Sequence, residues 1–124
     1  MSIHLVHRGL AKKNFKENTL SAFKYSFKKK YGIETDLQVT RDNQLICFHD
    51  FNLRSKFNLN KNVKDINYSS LKKISNKRKA TVPLLKDLLK ISKSNGYLFL
   101  DIFIKSFSKG TFAFFLLLIF LRYE

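Results

Sequence analysis

Residues 32–39 read Gly32-Ile33-Glu34-Thr35-Asp36-Leu37-Gln38-Val39. The side chains alternate with a period of two, the period of a β-strand. Ile33, Thr35, Leu37 and Val39 share one face; Glu34, Asp36 and Gln38 share the other. Two carboxylates at i and i+2 stand about 6–7 Å apart along one face of a strand. They repel each other and are best stabilised by a shared cation, and hard oxygen donors favour Mg²⁺ or Ca²⁺. The same spacing also suits the solvent face of an edge strand.

The segments on either side supply more strands and a helix. Ile3-His4-Leu5-Val6 is predicted as a short strand that ends at His7-Arg8-Gly9. Residues 14–18 are a loop, and Asn18 is the predicted N-cap of a helix over residues 19–30. Leu20, Phe23, Phe27 and Tyr31 give that helix one apolar face, Lys28-Lys29-Lys30 suits its C-terminal dipole, and Gly32 is the expected C-cap. After the central strand, Thr40-Arg41-Asp42-Asn43-Gln44 is a turn by composition. Leu45-Ile46-Cys47-Phe48 is then a buried strand with His49-Asp50 at its end.

Residues 51–83 are polar and irregular, with a short helix expected over Ser70–Ile74. Pro83 opens a second clear helix whose stripe is Leu84, Leu85, Leu88, Leu89 and Ile91, and Asn95-Gly96 ends it. Tyr97 to Lys105 is a further strand. The order strand, helix, strand, strand, helix, strand belongs to the α/β class.

Composition narrows the function. The chain has 124 residues, enough for one domain with a real core, and its 44% hydrophobic and 27% charged content argues against disorder and against a polytopic membrane protein. Four Gly and one Pro exclude collagen-like or Pro-rich architecture. The single cysteine, Cys47, excludes a disulfide framework and a thiolate zinc site. Twenty-four basic against nine acidic residues give a net charge of +15, which attracts polyanions. The lysines are spread from Lys12 to Lys109 rather than gathered, so compositional bias explains them better than a dedicated patch. The aromatics sit in core-like stripes and are not interleaved with Lys, so no specific nucleic acid is expected. The N-terminus has no apolar stretch of signal length, and a cytoplasmic location is expected. Phe112 to Leu121 is an unbroken apolar run, about half the length a spanning helix needs. It predicts no spanning segment, but a peripheral contact with a membrane through the tail.

Three strand ends carry the chemistry. His7-Arg8-Gly9 joins a proton-transfer group to a phosphate clamp beside a residue that permits a tight turn. Glu34 and Asp36 are paired carboxylates. His49 is a second imidazole at a strand end. Each alone is common. Together, with Glu17-Asn18-Thr19-Leu20-Ser21-Ala22-Phe23 and Thr40-Arg41-Asp42-Asn43 between them, their order and spacing resemble the glycerophosphodiester phosphodiesterase family. The resemblance continues more weakly through Leu53-Arg54 and Val82-Pro83-Leu84 and covers roughly residues 3–105.

The resemblance implies a (β/α)₈ barrel with its site at the C-terminal ends of the strands. It implies His7 and His49 as the general acid/base pair, Glu34 and Asp36 as ligands of a divalent metal, Ca²⁺ or Mg²⁺, and Arg8 and Lys105 as phosphate contacts. The substrate would be a glycerophosphodiester. A free glycerol hydroxyl would attack phosphorus and expel the alcohol, and water would then open the cyclic product to glycerol 3-phosphate, a reaction of lipid metabolism.

Two departures qualify this. The family's fourth strand ends Glu-Ile-Lys, whereas here the segment is Phe103-Ile104-Lys105, so Phe103 stands where a third carboxylate ligand belongs. Asp101 shares that face about 6–7 Å lower along the strand. A two-carboxylate site is expected, holding its ion more weakly and with more waters. The second departure is length, because such a barrel needs about 250 residues. Residues 1–109 are read as the N-terminal half of the domain, about four strands, and 110–124 as an apolar tail outside the barrel pattern, as from a shifted frame or truncated gene. The competing expectations are a catalytically inactive fragment and a basic module for nucleic acid or anionic lipid.

Overall fold

The structure, a computed structural model, describes the backbone of residues 4–94, 98–108 and 111–121 and the side chains of residues 4–94. Its frame is the sheet built on β2 (Gly32–Val39). Strand β1 (Leu5–His7) pairs with it in parallel, with His7 opposite Glu34. Strand β4 (Leu98–Ser108) also pairs in parallel, matching Ile33–Leu37 with Leu100–Ile104. β2 is therefore an inner strand, and the edge-strand alternative for its carboxylates fails.

The face that carries Ile33 and Leu37 is covered by helices. α1 (Leu20–Lys28) and α4 (Leu85–Ser94) bring Phe23, Phe27 and Leu88 onto it, and Cys47 completes that core. Burial of Cys47 pushes its thiol up to about 12. A second core under the loops gathers Ile46, Phe48, Leu53, Phe57, Val63 and Leu71. Its walls are α2 (Arg54–Phe57), a 3₁₀ turn at Val63–Asp65 and α3 (Tyr68–Lys77), so the segment expected to be irregular is mostly short helix.

Several boundaries differ from the sequence expectations for identifiable reasons. Thr19, not Asn18, caps α1: its Oγ1 accepts from the Ala22 N–H at 3.3 Å. Asn18 sits in the left-handed region, φ +50°, where it cannot serve as an N-cap. Gly32 is no C-cap but the first residue of β2, paired with Leu5; Lys30 at φ +61° makes the exit turn. Val39 shares its strand face with Ile33 and Leu37 yet is 39% exposed, because it lies past the helices. α4 begins at Leu85 because Leu84 is held in a bridge to Ile46 and Pro83 O accepts from Cys47 N–H. The helix end expected at Asn95-Gly96 and the strand start at Tyr97 lie outside the described residues.

Strand β3 (Leu45–Cys47) runs antiparallel to β2, since the turn at 40–44 is too short for a parallel crossover. The parallel wall thus comprises β1, β2 and β4. Residues Thr111–Leu121 form β5, antiparallel to β4 along its whole length.

Candidate active site

The direction of β3 runs the chain at His49 back toward the end of β1. Arg8 N–H donates to Glu34 O at 2.7 Å, and Phe48 N–H donates to Asp36 O at 2.9 Å. Carbonyls at i and i+2 of a strand point to the same edge. β1 and β3 therefore lie end to end along one edge of β2, running toward each other. The two chain segments that leave them, His7-Arg8 and His49-Asp50, both arrive at Glu34 and Asp36. The fold thus sets His7 beside Glu34 and Arg8 beside Asp36, and brings the backbone just before His49 to Asp36.

On the β1 arm, His7 Nε2 lies 3.6 Å from Glu34 Oε2, and the His7 side chain is 65% exposed. Arg8 is more confined. Its Nε lies 3.5 Å from the buried Asp36 Oδ2 and makes no hydrogen bond among the described residues; its Nη1 donates to Glu17 Oε1 at 3.1 Å. Arg8 and Gly9 both have positive φ, +56° and +76°. At Gly9 a Cβ would meet Phe23 Cδ1 at 2.9 Å and the Ala22 carbonyl carbon at 3.1 Å. Glycine thus lets the chain leave β1 sharply and lie directly on α1.

Asn18 ties this turn down from the far end. Its N–H donates to Arg8 O at 2.8 Å, and its Oδ1 accepts from Thr35 Oγ1 at 2.9 Å in a buried bond. The segment Glu17-Asn18-Thr19 therefore does three jobs in sequence: it holds the Arg8 side chain, holds the Arg8 backbone, and caps α1.

On the β3 arm the clamp is Gln38, only 3% exposed. Its Nε2 donates to Phe48 O at 3.0 Å and to Asp50 O at 2.7 Å, gripping the chain on both sides of His49. The His49 ring is held in turn, Nδ1 lying 2.8 Å from Asp50 Oδ1, while Ser55 Oγ donates to Asp50 Oδ2 at 2.5 Å. Partial burial raises the Asp50 carboxyl, but the Ser55 and His49 hydrogen bonds and the Lys56 charge outweigh it, leaving it below its ordinary 3.8.

Glu17 joins the arms. Its Oε1 accepts from Arg8 on one side and, at 3.4 Å, from Lys56 of α2 on the other. Burial raises Glu17, but these two cations more than compensate and hold it below its ordinary 4.5. Glu17, Asn18 and Gln38 were not read from the sequence as site residues. For Gln38 a signal existed: it continues the Glu34–Asp36 face by one more step of two.

Glu34 and Asp36 provide hard anionic oxygens on one face, with Asp36 5% exposed. Mg²⁺ is commonly bound by one or two carboxylates plus substrate phosphate, so this donor set fits such an ion. No group of three metal-ligating side chains occurs among the described residues. On β4 the backbone register sets Phe103 opposite Asp36 and Asp101 opposite Glu34; Lys105 follows Ile104, the last residue paired with β2.

Residues 7–108 match the Glycerophosphoryl diester phosphodiesterase family. The chain belongs to that family. Its members are phosphoric diester hydrolases. A glycerophosphodiester phosphodiesterase of Bacillus altitudinis is 32% identical over 108 residues, covering 81% of this chain and 44% of that protein. A glycerophosphodiester phosphodiesterase structure from Parabacteroides distasonis matches with TM-score 0.70 and 25% identity over 86% of this chain and 44% of the other. An Oleispira antarctica phosphodiesterase in complex with sn-glycerol-3-phosphate matches with TM-score 0.66 and 20% identity over 83% and 45%. The fold is thus the family's (β/α)₈ barrel type, of which this chain carries the first part; it spans less than half the length of these relatives. No helix among the described residues is long and apolar enough to cross a membrane.

Proposed function

We propose that this chain carries the acid/base and phosphate-binding half of a site that hydrolyses glycerophosphodiesters to glycerol 3-phosphate and an alcohol, in lipid metabolism and in the cytoplasm. The observation that supports this reading is the approach of β1 and β3 from opposite directions along one edge of β2, beside Glu34 and Asp36, with a histidine at or just past the end of each. Family membership supplies the substrate class.

The chemistry follows from the side chains. Arg8, whose buried Nε faces Asp36 without a hydrogen bond, holds a nonbridging phosphate oxygen, and Lys105 is the second phosphate contact. One imidazole takes the proton of the attacking glycerol hydroxyl as its oxygen bonds to phosphorus. The other gives a proton to the departing alcohol oxygen as that P–O bond breaks. Water then reverses both proton transfers and opens the cyclic diester. A Ca²⁺ or Mg²⁺ ion held by Glu34 and Asp36 would lower the pKa of a bound hydroxyl and neutralise charge on the phosphate.

A second reading is supported by the span of the match: with less than half of its relatives' length, the chain is a catalytically inert fragment. Hydrolysis of glycerophosphocholine with Mg²⁺ or Ca²⁺ separates the two. Turnover that falls by about 10²–10⁴ in both His7→Ala and His49→Ala supports the enzyme. No turnover by the cooperatively folded chain leaves the inert fragment.

A further inference from the structure

A cleft of about 60 Å³ opens beside His49, between the Lys16–Asn18 segment, α2 and the C-terminal end of α3. Three cations line it: Lys16, Lys56 and Arg78. All three are exposed. Its two acids are both engaged, Glu17 by Arg8 and Lys56, Asp50 by His49 and Ser55. Lys16 and Arg78 have no acidic partner among the described residues. The cleft's aromatic walls, Phe48 and Phe57, stack on each other at 5.9 Å and are 6% and 7% exposed, so they offer no open ring face to a quaternary ammonium.

From this we infer that the cleft receives the leaving alcohol of the diester and selects one that bears an anionic group, such as a carboxylate. The inference rests on the proposed hydrolysis for its orientation. His7 stands 3.6 Å from Glu34, and in the proposed hydrolysis the glycerol hydroxyl attacks from that carboxylate side. Attacking and leaving oxygens lie roughly in line across phosphorus. The alcohol therefore departs toward His49, which donates its proton, and its remaining atoms enter the cleft that His49 lines. There an anionic substituent meets the unmatched charges of Lys16 and Arg78 and competes with Glu17 for Lys56. A purely cationic alcohol such as choline meets three cations there, while both acids of the cleft are already engaged.

O-phospho-L-serine and phosphoethanolamine test this, because they differ by one carboxylate and neither is a diester. Titrated into the purified full-length chain at pH 7 with Mg²⁺ and low salt, phosphoserine binds about fivefold tighter, the scale of one exposed ion pair. The preference shrinks in Arg78→Ser and in Lys56→Ser, fades in salt, and survives Lys72→Ser, on α3 but outside this cleft. Two variants guard against one that fails to fold. Equal affinities, tighter phosphoethanolamine, no binding of either, or an unchanged preference in both cleft variants would overturn the inference. Glycerophosphodiester turnover without this preference removes the inference and keeps the enzyme; the preference without turnover keeps a selective cleft and removes the hydrolysis.

Discussion

The two histidines of the site are held in different ways. His49 is gripped by short bonds: Gln38 to the carbonyls on both sides, Asp50 to its ring, Ser55 to Asp50. His7 is 65% exposed, with Glu34 at 3.6 Å as its near charge. The His49 arm is a preorganised group whose supports lie within the described residues. The β1 arm is fixed at its backbone, through Gly9 and Asn18, while its imidazole stays open. In the hydrolysis proposed above, His49 would be a rigid proton carrier and His7 one that settles when substrate or a cation engages Glu34.

The sharpest way to break this contrast is Gln38→Leu. It keeps the bulk and removes both donors, leaving the carbonyls of Phe48 and Asp50 without their bonds. The buried Phe48 carbonyl left unsatisfied costs about 1–3 kcal/mol and the partly buried Asp50 carbonyl about 1, so unfolding free energy falls by about 2–4 kcal/mol in urea titrations. Amide exchange at His49 and Asp50 accelerates while β1 stays protected. If exchange rises equally at residues 7 and 8, the two arms are not independent.

Gly9→Ala attacks the other arm. The added methyl meets the Ala22 carbonyl carbon at 3.1 Å, a helix backbone that cannot yield as a side chain can, and φ +76° is strained for alanine. A loss of about 1–3 kcal/mol is expected, read as a lower thermal midpoint. Here exchange accelerates at residues 8–10 and not at 49.

Much of this was legible beforehand because it is local. The alternation in 32–39 gave β2 and separated its site face from its core face, and the spacing of Leu20, Phe23 and Phe27 gave α1. What could not be read depends on tertiary partners. Asn18 and Thr19 are adjacent, and Asn is the better capping residue; Thr19 takes the cap because Asn18 is drawn into the left-handed region by Arg8 O and Thr35. Gln38 grips carbonyls that lie 10 and 12 residues away. The convergence of the two arms follows from the antiparallel sense of β3, which the five-residue turn dictates but which a list of strands and helices does not express.

Thr35→Val breaks one bond of the β1 arm, together with the hydroxyl's bond to the buried Cys47 thiol. It is nearly isosteric and removes the donor to Asn18 Oδ1, leaving that acceptor buried. About 1–2 kcal/mol is expected from denaturant titration. Asn18→Ala loses more, because its left-handed backbone also becomes strained for the new residue. If the two cost the same, the Asn18 backbone geometry contributes nothing.

The smallest effect tests the link between the arms. Glu17 bridges Arg8 and Lys56, and its carboxyl is lowered in the folded chain relative to its ordinary 4.5. A depressed carboxylate contributes stability that is present above the unfolded value and lost as pH falls through the folded one. Stability from this group is therefore flat above about pH 5 and declines with acidification below 4.5. The side chain is 36% exposed, so solvent screens the pair and the decline is shallow. Asp50 titrates in the same acid range with the same sign, so wild type alone does not isolate Glu17. The difference between wild type and Glu17→Gln does: it is greatest near neutrality and closes toward pH 3. High salt reduces it further, chiefly through the exposed Lys56 pair, since Arg8 is the more confined cation. A difference that does not close with acid would mean that Glu17 acts through shape rather than charge, and that the two arms are joined by packing instead of by a shared carboxylate.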